Sequence, residues 1–415
     1  MPKGSSTSRK RMKGISAQTA SGCRQARSDN DPHSRPHIGP SPLEHSATAS
    51  SAALRVHPAC GRAPAHRVSR GLTLLETMIA MIIGLIITAA VAQVYATSRA
   101  TYQLTAGLSR VQENGRFGME FLTRDVRMAG YSGCLSKATA VTNHLNNPTD
   151  YATDLVLGQH VSAHAYTGSA PSAAISDWTP ALPAAYFTTG DVVPNTDVLV
   201  VRRASDQSEQ VLPPYMPTPS AALHLETGNG LQVNDIVIVA DCRSADMFQI
   251  TGPTDPDSTG TLNHNIGAVS QGPGNASQDL SKTYDSDAEI LKLVTRVYHI
   301  GRRNNDPNNP PALFRKELDG GVLVTQELVE GVENIQLYIG DDTDNDGIAN
   351  IYRTADQIAN WATVATVRIG LLVRTPDKAE RDVDTKTYVV AGTLIGPMGD
   401  RYQRRVFTST VDLRN

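Results

Sequence analysis

A 23-residue apolar run is the feature that most constrains this chain. Residues 72–94 read LTLLETMIAMIIGLIITAAVAQV and contain one formal charge, Glu76, and no proline. As an α-helix with a rise of about 1.5 Å per residue, the run reaches roughly 35 Å, which is enough to cross a hydrocarbon core of about 30 Å. Arg62, Arg67 and Arg70 precede it. The positive-inside rule therefore puts the amino-terminal flank in the cytoplasm and everything after the run outside.

Charge divides the 415 residues into two unlike parts. The formal net charge of −3 combines a basic arm, residues 1–71, with an acidic remainder. The arm is rich in Ser, Ala, Pro, Arg and His and has almost no periodic apolar pattern, which predicts disorder. Because it precedes a membrane helix, we interpret the arm as a leader that is removed from the mature protein. The acidic remainder argues against strong nonspecific binding to nucleic acids.

The junction at Gly71 carries a processing motif. Arg70 and Gly71 are followed by a hydrophobic run with Glu76 at its fifth position. This pattern resembles the class III signal of type IV prepilins, in which a membrane prepilin peptidase cleaves after the Gly and methylates the new amino terminus. The resemblance implies cleavage between Gly71 and Leu72. Leu72 is a conservative departure, since the family usually has Phe at the first mature position.

Glu76 is open to two interpretations. A carboxylate inside a membrane helix costs free energy and marks a functional position by default. In the first interpretation it snorkels to the interface, helped by the positive end of the helix dipole. In the second, it pairs with the new amine of a neighbouring subunit in a bundle of such helices. That pair would favour the assembled state over the monomer.

The helix is expected to continue through residues 95–130 as an amphipathic segment. Apolar and small residues recur with a three-four spacing, from Leu104 through Val111, Gly115 and Gly118 to Leu122. The small residues are expected to let another backbone come close. The segment QENGRFGMEFLTRDVRMAGYSGC, which ends at Cys134, resembles the PilW family of minor pilins, as do ADCRSADMFQI around Cys242 and the carboxyl-terminal YQRRVFTSTVDLRN.

The remaining chain is predicted to form an extracytoplasmic head, residues 131–415, rich in β-strands. Alternating apolar runs predict strands near residues 197–203, 235–242, 289–300, 312–318, 322–331, 332–340 and 361–375, and those from 289 to 340 read most simply as a meander of hairpins. The stretch 252–287, rich in Gly, Pro, Asn, Ser and Asp, predicts an exposed loop. The predicted class is α+β and pilin-like. It has a long amino-terminal helix, membrane-spanning over residues 72–94 and packed beyond them on an antiparallel sheet.

The cysteines predict one disulfide in the mature protein. Cys23 and Cys60 leave with the leader, and Cys134 and Cys242 remain as an even pair in an oxidising periplasm. Two buried free thiols are the alternative, which an oxidising compartment disfavours. For a loop of about 100 residues, the chain-entropy model gives a stabilisation of roughly 4–5 kcal/mol.

A stretch of alternating carboxylates is the remaining chemical signal. Asp342, Asp344 and Asp346, followed by Gly347, form a D-x-D-x-D-G pattern, which is typical of a calcium loop. The backbone carbonyl of Ile348 and the side chain of Asn350 would complete the ligand shell. Arg353 stands where an EF-hand has its bidentate Glu, so the pattern indicates a single loop between strands. The alternative is a solvated, Asp-rich hairpin turn with no cation.

The resemblance implies a minor pilin of a type IV pilus, which primes assembly as part of a tip complex. Its implied partners are the prepilin peptidase, the major pilin, other minor pilins and a tip adhesin, and its implied roles include cell adhesion and twitching motility. The implied location is the bacterial inner membrane, with one span and a periplasmic head, and later the pilus. Two alternatives remain: a pseudopilin of a type II secretion system, and a single-pass membrane protein with a calcium-stabilised head that never polymerises. No nucleotide, hydrolase or zinc-protease motif supports an enzyme.

Overall fold

The computed structural model describes residues 72–135, 141–148, 152, 160–169, 171–267, 270–378 and 380–413. The predicted leader, residues 1–71, lies outside the described residues, and so does Gly71 at the predicted cleavage junction. Leu72, the first residue after that junction, is described and exposed.

One helix of 54 residues, α1, runs from Leu74 to Arg127 and joins the two helical segments predicted from the sequence. Thr73 caps its amino terminus, and the first turn is free of proline. Four glycines lie within it without breaking it, because tertiary packing outweighs a propensity cost of about 1 kcal/mol each. The helix ends three residues before the predicted boundary at 130, with Met128 as its carboxyl-terminal cap.

The described strands are numbered in chain order. They are β1 Val141–Asn143, β2 Val161–Tyr166, β3 Trp178–Thr179, β4 Val198–Gln210, β5 Leu223–His224, β6 Ile236–Ala240, β7 Ala245–Gln249, β8 Thr261–Leu262, β9 Glu289–Arg302, β10 Pro311–Asp319, β11 Val322–Glu330, β12 Val332–Asp341, β13 Ile351–Arg353, β14 Val364–Arg374, β15 Tyr388–Val390, β16 Thr393–Ile395 and β17 Arg404–Asp412. A second helix, α2, is one turn at Pro256–Thr259. The strands predicted from alternation are all present.

The described part of the larger sheet has nine strands. Its main path is β1-β7-β6-β9-β4-β2-β3, and β10 adds to β9 and carries β11 at its outer side. The long strand β9 organises it, because β6 pairs with its first residues and β10 with its last ones on one side, while β4 pairs along the other. The pairs are antiparallel except β1 with β7, which is parallel.

The smaller sheet has the order β13-β12-β14-β17 and is antiparallel throughout. Its two faces carry different neighbours, because successive side chains of a strand point to opposite sides. Leu371 of β14 meets Gly118 of α1, whereas its neighbour Gly370 meets Ala391 in the turn of the β15–β16 hairpin. The helix therefore lies on one face of this sheet and the hairpin on the other.

The main core forms where α1 meets both sheets. It contains Val111, Leu122 and Val126 from the helix, together with buried aliphatic residues of β2, β4, β9, β10, β12 and β14. Each fully buried Val or Leu side chain stabilises the fold by roughly 1.5–3 kcal/mol. This core fixes the second half of the helix to the head.

The expectation of an exposed loop at 252–287 is wrong in part. Leu262, Leu280 and Tyr284 are buried in a separate core with strands β6 and β7. Asn275 is fully buried, where its side chain binds the backbone of Gln249 in both directions. Residues that follow no helical or strand period can still cover a sheet edge when their backbone groups are paired in this way.

Candidate functional site

The amino terminus of α1 holds Glu76 in its first turn. Thr73 Oγ1 accepts a hydrogen bond from the Glu76 backbone N–H at 3.3 Å, and the Thr77 N–H donates to the Thr73 carbonyl at 3.2 Å. A Thr followed three residues later by Glu is the sequence pattern of a capping box, of which the Thr half is formed here. The carboxylate lies on an exposed turn at the positive end of the helix dipole. The local structure therefore places a negative charge where the helix dipole favours it.

The first half of α1 presents apolar side chains to its surroundings on every side. All residues from 72 to 103 are exposed, among them Leu74, Leu85 and Ile86, which are 78%, 71% and 64% exposed. By length and composition α1 can span a membrane. A contiguous apolar surface of this size is stable only in lipid or against other apolar helices.

The second half of α1 is shaped by glycines to fit the head. A Cβ atom at Gly115 would lie 2.2 Å from the ring of Phe407 in β17, and one at Gly118 would lie 3.0 Å from Leu371 in β14. Gly107 similarly faces Thr375, at 3.1 Å. The sequence predicted a close approach of another backbone. The structure shows a close approach of side chains from the smaller sheet.

A buried ion pair closes the contact near the end of the helix. Arg296 Nη1 of β9 donates to Asp125 Oδ1 at 2.7 Å, and the Tyr298 hydroxyl donates to Asp125 Oδ2. The Asp125 side chain is 2% exposed. Burial alone would lower the pKa of Arg296, but Asp125 and Glu317 raise it above its ordinary value. Burial and the Asp125 charge also raise the pKa of Tyr298. Arg296 therefore stays charged, and the tyrosine acts as a neutral donor.

Local sequence patterns do not identify this pair. Asp125 is one of several charged residues along the helix, and Arg296, Arg302 and Arg303 form a small basic cluster of the kind that usually marks a solvated face. Only Arg303 of that cluster is exposed; it pairs with Glu327. Helical periodicity is the signal that marks Asp125 as buried. It follows Leu122 by three residues and so lies on the same buried face of α1.

The predicted disulfide is present and fixes the segment after the helix. Cys134 is bonded to Cys242, with their Cα atoms 4.8 Å apart. Cys242 lies in the turn between β6 and β7 with φ +66°, and the Cys134 N–H donates to Glu289 Oε1 of β9 at 3.2 Å. The disulfide therefore joins the segment after α1 to the β6–β7 turn, and the hydrogen bond joins the same segment to β9.

The acidic loop joins β12 to β13. The candidate ligand atoms of Asp342, Asp344 and Asp346 all lie within 4.8 Å of one another, which fits oxygens around one cation with bonds of about 2.3–2.6 Å. Asp342 also accepts the N–H groups of Asp346 at 3.2 Å and Gly347 at 2.8 Å. These contacts form an Asx-type turn by themselves, so the geometry fits both alternatives raised by the sequence.

The two other predicted ligands have different positions. Asn350 Oδ1 accepts from the backbone N–H of Thr343 at 2.7 Å, which closes the base of the loop. The Ile348 side chain is exposed, and its N–H donates to Asp346 Oδ1 at 2.8 Å. Arg353 is turned to Asp341, with the Nε–Oδ2 distance at 3.6 Å. The structure thus brings together the carboxylates of Asp342, Asp344 and Asp346.

Comparison with known proteins gives two family matches, in different parts of the chain. Residues 297–415 match PilW, the type IV pilus-assembly protein W family. Residues 66–92 match the prokaryotic N-terminal methylation motif. No curated protein and no solved structure matches the chain.

The two matched regions include the strand residues that pack on α1 and most of the exposed apolar half of α1 itself. The PilW match begins within β9 and includes Leu371, Thr375 and Phe407, against which the helix glycines pack. The methylation motif covers the predicted cleavage junction and most of the exposed apolar half of α1. Pilin-family regions of these kinds are structural, and the prepilin motif implies membrane anchoring and interaction with the prepilin peptidase and other pilus components. One α+β chain thus combines a prepilin-type amino terminus with a carboxyl-terminal region similar to PilW, which supports a pilin-like protein related to the type IV pilus.

Proposed function

We propose that this protein is a minor pilin that primes assembly of a type IV pilus from within a tip complex. The observation that carries the proposal is the division of α1 into a second half already packed on its own head and a first half that packs on none of the described residues. The first half requires lipid before assembly and other apolar helices after it. In this proposal the leader is removed after Gly71, the helix spans the inner membrane once, and the head lies in the periplasm.

Glu76 provides a means of favouring assembly over the monomer. Cleavage would leave a charged amine on Leu72, one helical turn from the Glu76 carboxylate. In a bundle of such helices, the carboxylate pairs with the amine of a neighbouring pilin in a medium of low dielectric constant. Losing one partner of such a buried pair costs about 3–5 kcal/mol. The proposed partners are the major pilin, other minor pilins and a tip adhesin.

The test replaces Glu76 and measures entry into pili. Glu76→Ala is expected to be cleaved and inserted normally but to be depleted from the sheared pilus fraction. Glu113→Ala is the matched control, because it removes an exposed carboxylate from the packed half of the same helix. Equal recovery of both variants in the sheared fraction would show that Glu76 only snorkels.

The same fractionation separates the alternatives. A minor pilin is recovered with sheared pili, and its deletion lowers the number of pili. A type II secretion pseudopilin is absent from the pili, and its deletion stops protein secretion instead. A membrane protein that never polymerises stays in the inner-membrane fraction, and its deletion changes neither the number of pili nor protein secretion.

For the acidic loop we propose a calcium ion held by Asp342, Asp344 and Asp346. Support comes from the convergence of three carboxylates, which repel one another without a cation. Calcium binding to the folded state raises the melting temperature by mass action. Asp344→Asn should abolish that increase and leave the melting temperature in chelator nearly unchanged. Equal melting curves of the unaltered protein in calcium and in chelator would leave only the turn.

A further inference from the structure

A cavity of about 540 Å³ lies in the head, on the face of the smaller sheet that is turned away from α1. Its floor includes Asn334 and Gln336 of β12, and its sides are the loop before β4, the end of β9 and the β15–β16 hairpin with the residues after it. Its volume is within the range of sites that bind small ligands, about 300–1,000 Å³.

The walls of this cavity are held in place by specific contacts. The Asn334 and Gln336 side-chain amides both donate to the Asn195 carbonyl, at 2.8 and 2.9 Å, which fixes the loop to the floor. The hairpin turn is fixed at Gly370, where a Cβ atom would lie 2.6 Å from the Ala391 backbone nitrogen. A ligand would therefore enter a site that is largely formed in advance, which reduces the entropy lost on binding.

Arg302, the last residue of β9, lines the cavity without an acidic partner. Among the described residues its guanidinium donates to the Asn309 carbonyl and forms no ion pair. Burial and the nearby Arg374 charge lower the pKa of Arg302, and the Glu333 charge offsets part of this lowering. Arg404 by contrast forms ion pairs with Glu333, Asp384 and Asp400. An anion in the cavity would supply the ion pair that Arg302 lacks among the described residues.

Two carboxylates also line the cavity, and among the described residues neither forms an ion pair with Arg302. Glu333 is engaged by Arg404 at 2.6 Å and by Arg374 at 3.1 Å. Asp197 is 4% exposed and accepts the N–H groups of Leu337 at 2.8 Å and Tyr166 at 3.3 Å. Burial raises the pKa of Asp197 to about 7 in spite of these donors. Close to neutral pH its charge is therefore partly removed, which weakens its repulsion of an incoming anion.

The rim of the cavity is apolar on the hairpin side. Leu394 is 71% exposed and faces Val389, 59% exposed, across the hairpin, and Met398 lies just beyond. Aliphatic and Met side chains adapt well to the side chains of a peptide. An arginine beside such a rim is suited to a carboxylate that has an apolar group next to it.

We propose that this cavity binds a short peptide segment that carries a carboxylate beside an apolar side chain. Arg302 pairs with the carboxylate, and Leu394 and Met398 pack against the apolar side chain. The planar guanidinium presents several donors in a fixed geometry, which matches a carboxylate oxygen pair. The site lies outside the helix and does not depend on the proposed assembly role.

The test uses detergent-solubilised full-length protein with ¹³C-labelled methionine methyl groups. The probes are the peptides acetyl-GSLDSG-amide and acetyl-GSLNSG-amide, which differ by one carboxylate, and a pectin-derived oligogalacturonate as an acidic sugar. The Met398 methyl signal is expected to shift saturably with the Asp peptide. Binding of the Asn peptide should be at least about tenfold weaker. The buried Met216 and Met247 signals report that the head stays folded.

Two variants sharpen the test. Arg302→Gln should weaken binding of the Asp peptide at least about tenfold, whereas Arg303→Gln, at the exposed neighbouring position, should not change it. Leu394→Ser, at an exposed position that should not affect folding, should weaken both peptides. The proposal is overturned if the Met398 signal is unmoved by the Asp peptide, or if Arg302→Gln binds as well as the unaltered protein. A shift with oligogalacturonate alone would assign the cavity to acidic sugars instead.

Discussion

In the first half of α1 every side chain from residue 74 to 103 is exposed, whereas in the second half Val111, Leu122 and Val126 are exposed by 1% or less. The two halves share one unbroken helix, so the difference comes from side chains and not from backbone. In the second half, one narrow face carries apolar residues and glycines and the other faces carry charged residues, as in a helix on a protein surface. The first half is apolar all round, as a helix surrounded by lipid or by other helices is.

The glycines of the two halves of α1 have different surroundings. At Gly84 in the first half, nothing lies within 4 Å of the place that a Cβ atom would take, whereas at Gly115 that place is 2.2 Å from the ring of Phe407. The second half is therefore fitted to one surface of its own chain. The first half packs on none of the other described residues, and in the proposed function this separation lets one helix serve both as anchor and as subunit contact.

The largest effect is expected from the disulfide that follows the packed half. Replacing both cysteines, Cys134→Ser with Cys242→Ser, should lower the free energy of unfolding by roughly 4–5 kcal/mol in the chain-entropy model. The head should also become sensitive to protease near the end of α1, while the first half of the helix behaves as before. Urea unfolding and limited proteolysis measure this. Two alkylatable thiols in the native mature protein would rule out the bond.

The next effect is expected from the buried ion pair, which has no counterpart in the first half. Arg296→Met leaves the Asp125 carboxylate buried without its cation and should cost about 3–5 kcal/mol. Arg303→Met removes an exposed arginine of the adjoining segment and should leave the free energy of unfolding nearly unchanged. Urea denaturation of both variants provides the comparison. Equal stabilities would mean that the pair does not fix the helix to the head.

The smallest of the three effects is expected from the glycines and compares the halves most closely. Gly115→Val forces Phe407 and its neighbours to move and should destabilise the head by about 1–3 kcal/mol. Gly84→Val introduces the same side chain where nothing is near, so the melting temperature of the head should stay the same. Equal losses in both variants would contradict the division of the helix.

The sequence was most informative where one period repeats for many residues. The helix, the longer strands from β4 to β14 and the Cys134–Cys242 bond could all be predicted, because apolar periodicity and cysteine number are local or countable properties. It was least informative about charges that find partners far along the chain. Asp125 and Arg296 are 171 residues apart, so no local pattern pairs them.

The same limit applies to the cavity around Arg302. Arg303 follows Arg302 directly, and a basic pair of this kind usually marks a solvated face. Arg302 is the last residue of β9 and lines the cavity, whereas Arg303 lies just beyond the strand and is exposed. Which face becomes a cavity depends on the β15–β16 hairpin, far along the chain, and a local pattern cannot supply that.

The most direct measurement of the central claim is mass spectrometry of the mature amino terminus in cells with and without the prepilin peptidase. With the peptidase, the amino-terminal peptide should begin at Leu72 and carry a methyl group on its amine. Without it, or with Gly71→Leu, only the longer form should be found, in the inner membrane. A mature protein from peptidase-containing cells that still begins upstream of Leu72 would contradict the account.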